Sequence, residues 1–511
     1  MTGGGTTVAA EVELKLRIPP ARLRQALSSP LLDSGRGAQT QKLSATYYDT
    51  PALDLWRNRV ALRVRREGGR WVQAVKGSGS VASGVHARLE IETVLRDGSP
   101  DVAGLPRHPV TKILRSRNVA GALVPVLHTE ITRSLRLLEP APGVLIEAAI
   151  DRGVIRSGRR RERICEIELE LKSGPVSALF GLAQRLAGQM PLALEHRSKA
   201  ERGYAMFNPQ LAAPTKAAPL VLTQKMNAGD AFRAIAAAAL AQIHANERGV
   251  MESDDPEYLH QMRVGIRRLR SALSLFREPL GDTAAAHAAA LRAIAAALGP
   301  ARDWDVLVTE TLPALRAALP AHAVTPAFTA ACAACRKAAR SKAKKSIKTT
   351  SYNLSALVLG AWLAALPRAD SEAWRQPART YAARLLAARH ARVLKRGRDL
   401  EHCTAAELHR LRIAVKKLRY AVEFFAGLFA AKDTTALRAG LVQLQDILGC
   451  INDAVSVEPL VAAAIAAAPG REVAAAADSV RDWHRARAAS GRKKLQLAWR
   501  RFRAARRPWR E

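Results

Sequence analysis

A chain of 511 residues is long enough for two or three domains, and 48% hydrophobic residues supply an ordinary globular core. The formal net charge of +35 is spread over both halves, 33 Lys and Arg against 20 Asp and Glu up to residue 219 and 47 against 25 after it, so polyanionic partners are expected. Five cysteines without regular spacing argue against a disulfide framework and fit a reducing cytoplasm, and apolar runs such as residues 460–468 are too short to span a bilayer.

The N-terminus lacks a basic stretch followed by an apolar one, so no signal peptide is expected. The first chemical signal is Glu11-Val12-Glu13-Leu14-Lys15. On a strand Glu11, Glu13 and Lys15 share one face, and Val12, Leu14 and Leu16 share the other. A strand with a charged inner face suits a wet lumen better than a sandwich core. Alternating segments follow near residues 45–49, 60–67, 70–76, 86–94, 127–137, 144–151 and 163–172, about eight in all, with short helices near 20–30 and 175–188. A mostly antiparallel sheet closed on itself is the simplest assembly.

The later strands repeat the charged face. Arg63 and Arg65 lie two apart, Lys76 ends a strand, and Arg88, Glu90 and Glu92 alternate. Arg133 lies in the strand after His128, Glu147 and Asp151 share a face, and Glu166, Glu168 and Glu170 form a second acidic strand. Acids and bases crowded in one lumen need counter-charges, and a metal–triphosphate complex meets both needs. Arg holds phosphate oxygens in pairs, Lys supplies a point charge, and carboxylates hold a hard cation.

Residues 208–221, rich in Pro and Ala, read as a linker between a first domain over 8–207 and a second over 222–505. The second part is Ala-, Leu- and Arg-rich with helical periodicity, broken at Gly299-Pro300, Pro320, Pro367, Pro377 and Pro469-Gly470. It is duplicated, with repeats near 225–350 and 375–505. His260, Arg263, Arg267 and Arg270 recur 149 residues later as His409, Arg412, Lys416 and Arg419, and Arg268 recurs as Lys417. Met262, Ile266, Leu269, Leu273 and Phe276 recur as Leu411, Val415, Leu418, Val422 and Phe425, on the opposite face of each helix. Leu298-Gly299 with Arg302-Asp303 parallels Leu448-Gly449 with Asn452-Asp453, so Arg302 has an Asn opposite it. Cys332 and Cys335 form a lone CxxC in an Ala-rich stretch and read as packing.

The ordered set Glu11-x-Glu13-x-Lys15, Tyr47-Tyr48-Asp49-Thr50-Pro51, Arg63-x-Arg65, Lys76-Gly77, Glu147 to Asp151, Glu166-x-Glu168-x-Glu170 and Ser198 to Tyr204 resembles the CYTH superfamily of triphosphate tunnel metalloenzymes. The duplicated helical part resembles the CHAD domain, and the CYTH–CHAD order resembles bacterial inorganic triphosphatases. The resemblance implies an α+β, multidomain chain, an eight-stranded antiparallel β-barrel tunnel followed by an all-α duplicated helical bundle. It implies that Lys15, Arg63, Arg65, Lys76, Arg133 and Lys199 grip phosphate, and that Glu11, Glu13, Glu166, Glu168 and Glu170, helped by Asp151, hold Mg²⁺ or Mn²⁺. Arg88, Glu90, Glu92 and Arg115 are weaker assignments.

For the second domain the resemblance implies polyphosphate binding by His260, Arg263, Arg267, Arg268, Arg270, Arg302, His409, Arg412, Lys416, Lys417 and Arg419. The expectation is metal-dependent hydrolysis of inorganic triphosphate by a cytoplasmic protein associated with polyphosphate granules, with no membrane span and no specific nucleic acid. Hydrolysis of thiamine triphosphate, cyclisation of ATP and a non-catalytic polyphosphate scaffold stay open.

Overall fold

A computed structural model describes residues 7–33, 38–77, 79–82, 85–366 and 371–509. Ten strands form one antiparallel sheet: β1 (Thr7–Arg17), β2 (Gln39–Asp49), β3 (Ala61–Glu67), β4 (Arg70–Lys76), β5 (Ser80–Ala82), β6 (Val85–Leu95), β7 (Val124–Ala141), β8 (Val144–Ser157), β9 (Arg160–Ser173) and β10 (Ala193–Leu194). The order β1-β9-β8-β7-β2-β3-β4-β6 returns to its start because β6 also pairs with β1. Eight strands therefore close a barrel, as expected, and β5 and β10 are short additions at its margin.

The alternation explains which way each strand faces. Leu14, Leu16, Ile146, Ala148, Ile150, Ile167 and Leu169 are buried on the outside of the wall with Leu179, Phe180, Leu182, Ala183 and Leu186 of helix Ser177–Gln189. The apolar core thus lies between wall and helix, and each such Leu or Ile contributes about 1.5–3 kcal/mol. The opposite face of the same strands is left to line the lumen.

Helix Lys199–Phe207 starts at a reciprocal cap, in which the Glu201 N–H donates to Ser198 Oγ (3.2 Å) and the Ser198 N–H donates to Glu201 Oε2 (2.6 Å). It packs on β7 and β8. Gly203 allows that approach, since a Cβ there would meet Leu127 Cδ2 at 2.5 Å. Tyr204 donates to Asp49, which also accepts from the backbone N–H groups of Leu55 and Trp56. The Tyr47 to Pro51 block is therefore the joint that seats this helix.

The chain divides into two compact units, but not as one cut. The first is the chain up to Pro214 together with Lys348–Leu366. The expected single run 222–505 departs from this because helix Thr350–Ala365 carries no charged residue and buries Tyr352, Leu357, Leu359 and Leu363. It packs on helix Ser177–Gln189 and β10, with Leu357 in the same apolar core.

The second unit is helical. Its repeat helices Pro256–Leu275 and Ala405–Phe425 bury the apolar residues named above. At Gly299-Pro300 the chain bends by 41° and a new helix begins at once. Among the described residues, Ala431–Ala467 is long and apolar enough to cross a membrane by composition, as is Arg277–Ala318 if the bent pair counts as one span. One face of the first, Leu437, Leu441, Leu444, Leu448 and Ile451, is buried in the helical unit. Burial and the adjacent Cys335 push the Cys332 thiol up to about 12, which agrees with packing at the CxxC.

Candidate active site in the barrel lumen

The lumen is a cavity of about 330 Å³. Eight cations line it, Lys15, Arg63, Arg65, Lys76, Arg88, Arg133, Lys172 and Lys199, against seven carboxylates, Glu11, Glu13, Glu90, Glu92, Glu147, Glu168 and Glu170. Strand register brings them together. Lys15 lies opposite Glu168, Glu13 opposite Glu170, Glu170 opposite Glu147, and Lys76 opposite Glu90. Lys15 bridges Glu13 (2.6 Å) and Glu168, and Lys76 bridges Glu11 (2.8 Å) and Glu90 (3.1 Å). Arg63 reaches Glu90 at 3.2 Å, and Arg65 pairs with Glu67.

Two groups of acids separate. Asp151 and Glu166 are buried behind the lining, and with Glu168 their oxygens converge within 4.8 Å. Lys199 sits among them, at 2.8 Å from Asp151, 2.6 Å from Glu166 and 2.8 Å from Glu168. Arg133 holds Asp151 with two nitrogens, at 2.8 and 2.7 Å, and Arg202 bridges Glu166 and Glu162. Burial opposes ionisation here, but Lys199 and Arg133 hold Asp151 below the usual carboxylate range, and Lys15, Lys199 and Arg133 do the same for Glu168. This group is already neutralised by the chain's own cations.

Glu13 and Glu170 are not. Burial pushes both carboxyls up, against Lys15 for Glu13 and against Lys172 for Glu170, with further carboxylates nearby. These two acids are short of positive charge; Glu11, held below the usual range by Lys76 and Lys15 against its burial, and Glu147 lie beside them, and together the four offer the oxygen donors a hard cation needs. On the cationic side burial and Arg63 pull Arg65 down, and the buried Nε atoms of Arg63 and Arg65 have no hydrogen-bond partner within the protein. Buried donors of that kind call for an anion.

All six expected phosphate ligands therefore line the cavity, as do Glu11, Glu13, Glu168 and Glu170. Arg88, Glu90 and Glu92 join them, whereas Arg115 turns away to donate to the Leu105 carbonyl. Lys172 and Arg202 had no assigned role. Lys172 is two residues beyond Glu170, and the same alternation points to it.

In the second unit the cations form two groups. Arg267, Arg412, Lys416 and Arg419 are electrostatic neighbours, and burial with these neighbours pulls Lys416 down to about 8. This ties the repeats together. Burial likewise pulls Arg263 down to about 10, and its guanidinium donates to the Ala295 carbonyl at 2.7 Å. His260 is pulled down by burial and by Arg302, which bridges Glu310 at 2.8 Å, and His409 bonds Asn452 at 2.6 Å. Arg268 departs from the expected stripe. It lies about 100° round the helix from Arg267, is buried, reaches Glu423 at 3.3 Å and stacks over Phe424. Arg270 and Lys417 belong to a different surface, taken up below.

The family model for the CYTH domain matches residues 9–204, and that for the CHAD domain matches residues 234–462. An inorganic triphosphatase of Haemophilus influenzae is 34% identical over 206 residues, 39% of this chain and 56% of that protein. An uncharacterized protein of Mycobacterium tuberculosis is 29% identical over 282 residues, 52% of each chain. The chain thus spans about half the length of the curated relatives it matches. The crystal structure of the CHAD domain from the plant Ricinus communis is 34% identical, with a TM-score of 0.50, covering 58% of this chain and 98% of that one. With the closed barrel and the duplicated helices, these matches make the chain a member of the CYTH and CHAD families, a CYTH barrel joined to a CHAD domain.

Proposed function

We propose that the barrel hydrolyses inorganic triphosphate with the help of Mg²⁺ or Mn²⁺, and that the helical unit binds polyphosphate. One observation carries the first part: a closed lumen holds under-neutralised carboxylates and partnerless Arg nitrogens side by side. Glu11, Glu13, Glu147 and Glu170 would hold the cation, which supplies neutralisation of phosphate oxygens. Arg63, Arg65, Arg133, Lys15 and Lys76 would hold the remaining oxygens and match the charge that grows on the transferring phosphoryl group. Lys199, fixed on three carboxylates, keeps the back of the site rigid.

The substrate follows from what the lining lacks. Tyr47 is the one aromatic among the described residues lining the cavity, and it is buried. A nucleobase or a thiamine ring finds no stacking face there, whereas a bare triphosphate needs none. The polyphosphate reading rests on the Arg267, Arg412, Lys416 and Arg419 group, whose mutual repulsion a polyanion relieves. The test is turnover of tripolyphosphate, ATP, thiamine triphosphate and long-chain polyphosphate with Mg²⁺ or Mn²⁺. Tripolyphosphate should be hydrolysed fastest, and excess chelator should stop it. Faster turnover of ATP, or undiminished turnover in chelator, overturns the reading.

A further inference from the structure

Arg270 and Lys417 match other repeat positions in the sequence, yet they belong to a second basic surface of the helical unit. The strongest electrostatic neighbours of Lys417 are all cations, Arg389, Arg392, Arg396 and Arg270, and with burial they pull its ammonium down. Arg270 in turn neighbours Arg292. Hydrogen bonds fix the geometry. Arg389 of helix Ala378–Arg396 donates to the carbonyl and hydroxyl oxygens of Ser274 (2.9 and 3.1 Å), just past Arg270 on the first repeat helix. Arg396 donates to the Arg410 carbonyl (2.6 Å), about two turns before Lys417 on the second. Helix Ala378–Arg396 is thus laced to both repeat helices. Arg389, Arg392 and Arg396, at spacings of three and four, form one stripe about 10 Å long.

The two basic surfaces differ in one respect. The first contains its own acids: Asp453 neighbours Arg412 and Lys416, and Glu423 accepts from Arg419. Around Lys417 the dominant neighbours are of one sign. Half-buried like charges repel, and the repulsion is relieved by an anion from outside. A short phosphate would occupy one surface or the other, while a long chain would reach both. Lys416 and Lys417 are consecutive, so the two surfaces adjoin on adjacent sides of helix Ala405–Phe425.

We propose that Arg270, Arg292, Arg389, Arg392, Arg396 and Lys417 form a second polyphosphate-binding surface, which makes the helical unit selective for long chains. This rests on the polyphosphate reading above. The aromatic rings on and beside helix Ala378–Arg396, Tyr381, His390 and Trp499, are buried and offer no face to stack a base, so a bare phosphate chain is favoured over nucleic acid.

The test uses the full chain and three variants: Arg389→Gln/Arg392→Gln/Arg396→Gln, the single reversal Arg392→Glu at an exposed position, and a charge control, Lys337→Gln/Lys342→Gln/Lys345→Gln. Binding of long-chain polyphosphate, tripolyphosphate and duplex DNA is measured across salt concentrations. The triple variant should lose long-chain affinity by about tenfold at low salt, with a salt slope shallower by about 2, while keeping tripolyphosphate hydrolysis. Arg392→Glu should move the same way and the control much less. Equal losses in the triple variant and the control overturn the second surface while leaving polyphosphate binding intact. DNA bound as tightly as polyphosphate, with the same loss in the triple variant, overturns the choice of ligand. A wild type that binds no long chain removes the underlying reading itself.

Discussion

Removing the ammonium of Lys199 tests the division of lumen acids into neutralised and under-neutralised groups. Lys199 lies within 2.8 Å of Asp151, Glu166 and Glu168, and burial of its charge is outweighed by those three carboxylates. Lys199→Met keeps the unbranched apolar stem, one atom shorter, and deletes the charge. Each carboxylate retains another cation, Arg133 for Asp151 and Glu168, Arg202 for Glu166, and Lys15 for Glu168. The loss should therefore fall at the lower end of the range for breaking a buried pair, about 3 kcal/mol. For a unit of this size that is a fall of about 6–12 °C in its melting transition. The three oxygens then converge on the place the Lys199 ammonium has left, so Mg²⁺ or Mn²⁺ should bind there. At about 100 times its Kd a cation returns about 2.7 kcal/mol. Thermal unfolding of wild type and variant, in chelator and in divalent cation, reads both effects. Wild-type melting of the variant in chelator, or equal stabilisation of both proteins by the cation, refutes the reasoning.

Glu170→Gln removes a carboxylate that burial already holds above the usual range, so turnover of tripolyphosphate should fall sharply while the melting temperature is unchanged or higher; a lower melting temperature contradicts it. Arg65→Ala should raise KM and lower kcat together in steady-state assays, because its guanidinium lines the cavity with Nε free for an oxygen. Lys416, at about 8 against an ordinary 10.5, loses its proton between pH 7 and 9, so polyphosphate affinity should fall across that range and Lys416→Arg should flatten the titration. In the free protein the sign is opposite for folding: the unfolded chain holds that proton more tightly, so this group makes stability rise with pH from about 8 to 10.5, as denaturation at several pH values would register.

The barrel was legible because a period of two is a strong signal, and it recurs on strand after strand. The same period assigns Glu13, Arg65 and Glu168 to one side of the wall and Leu14, Val64 and Leu169 to the other. Period alone does not say how deep a residue sits. Asp151 and Glu168 face the same side of the wall, yet one is fully buried behind two cations and the other reaches the cavity, because helix Lys199–Phe207 covers the wall at Asp151. That helix begins about 25 residues beyond the end of β9, and no local pattern announces its docking.

The helical unit was legible to the same extent and for a related reason. The offset of 149 finds the two repeat helices and their apolar faces, which are the parts each repeat must keep to pack. It does not find Arg389, Arg392 and Arg396, which lie on the helix before the second repeat helix and meet Lys417 only in the folded unit. Nor does it separate Arg267 from Arg268, one residue and about 100° apart, of which one faces the second repeat's cations and the other is spent on Glu423 and Phe424. A repeat identifies equivalent positions, whereas charge function depends on which neighbours arrive from non-equivalent helices. Helix Thr350–Ala365 makes the same point for packing: its uncharged, largely apolar sequence calls for a partner, and only the fold shows that helix Ser177–Gln189 of the barrel unit supplies one.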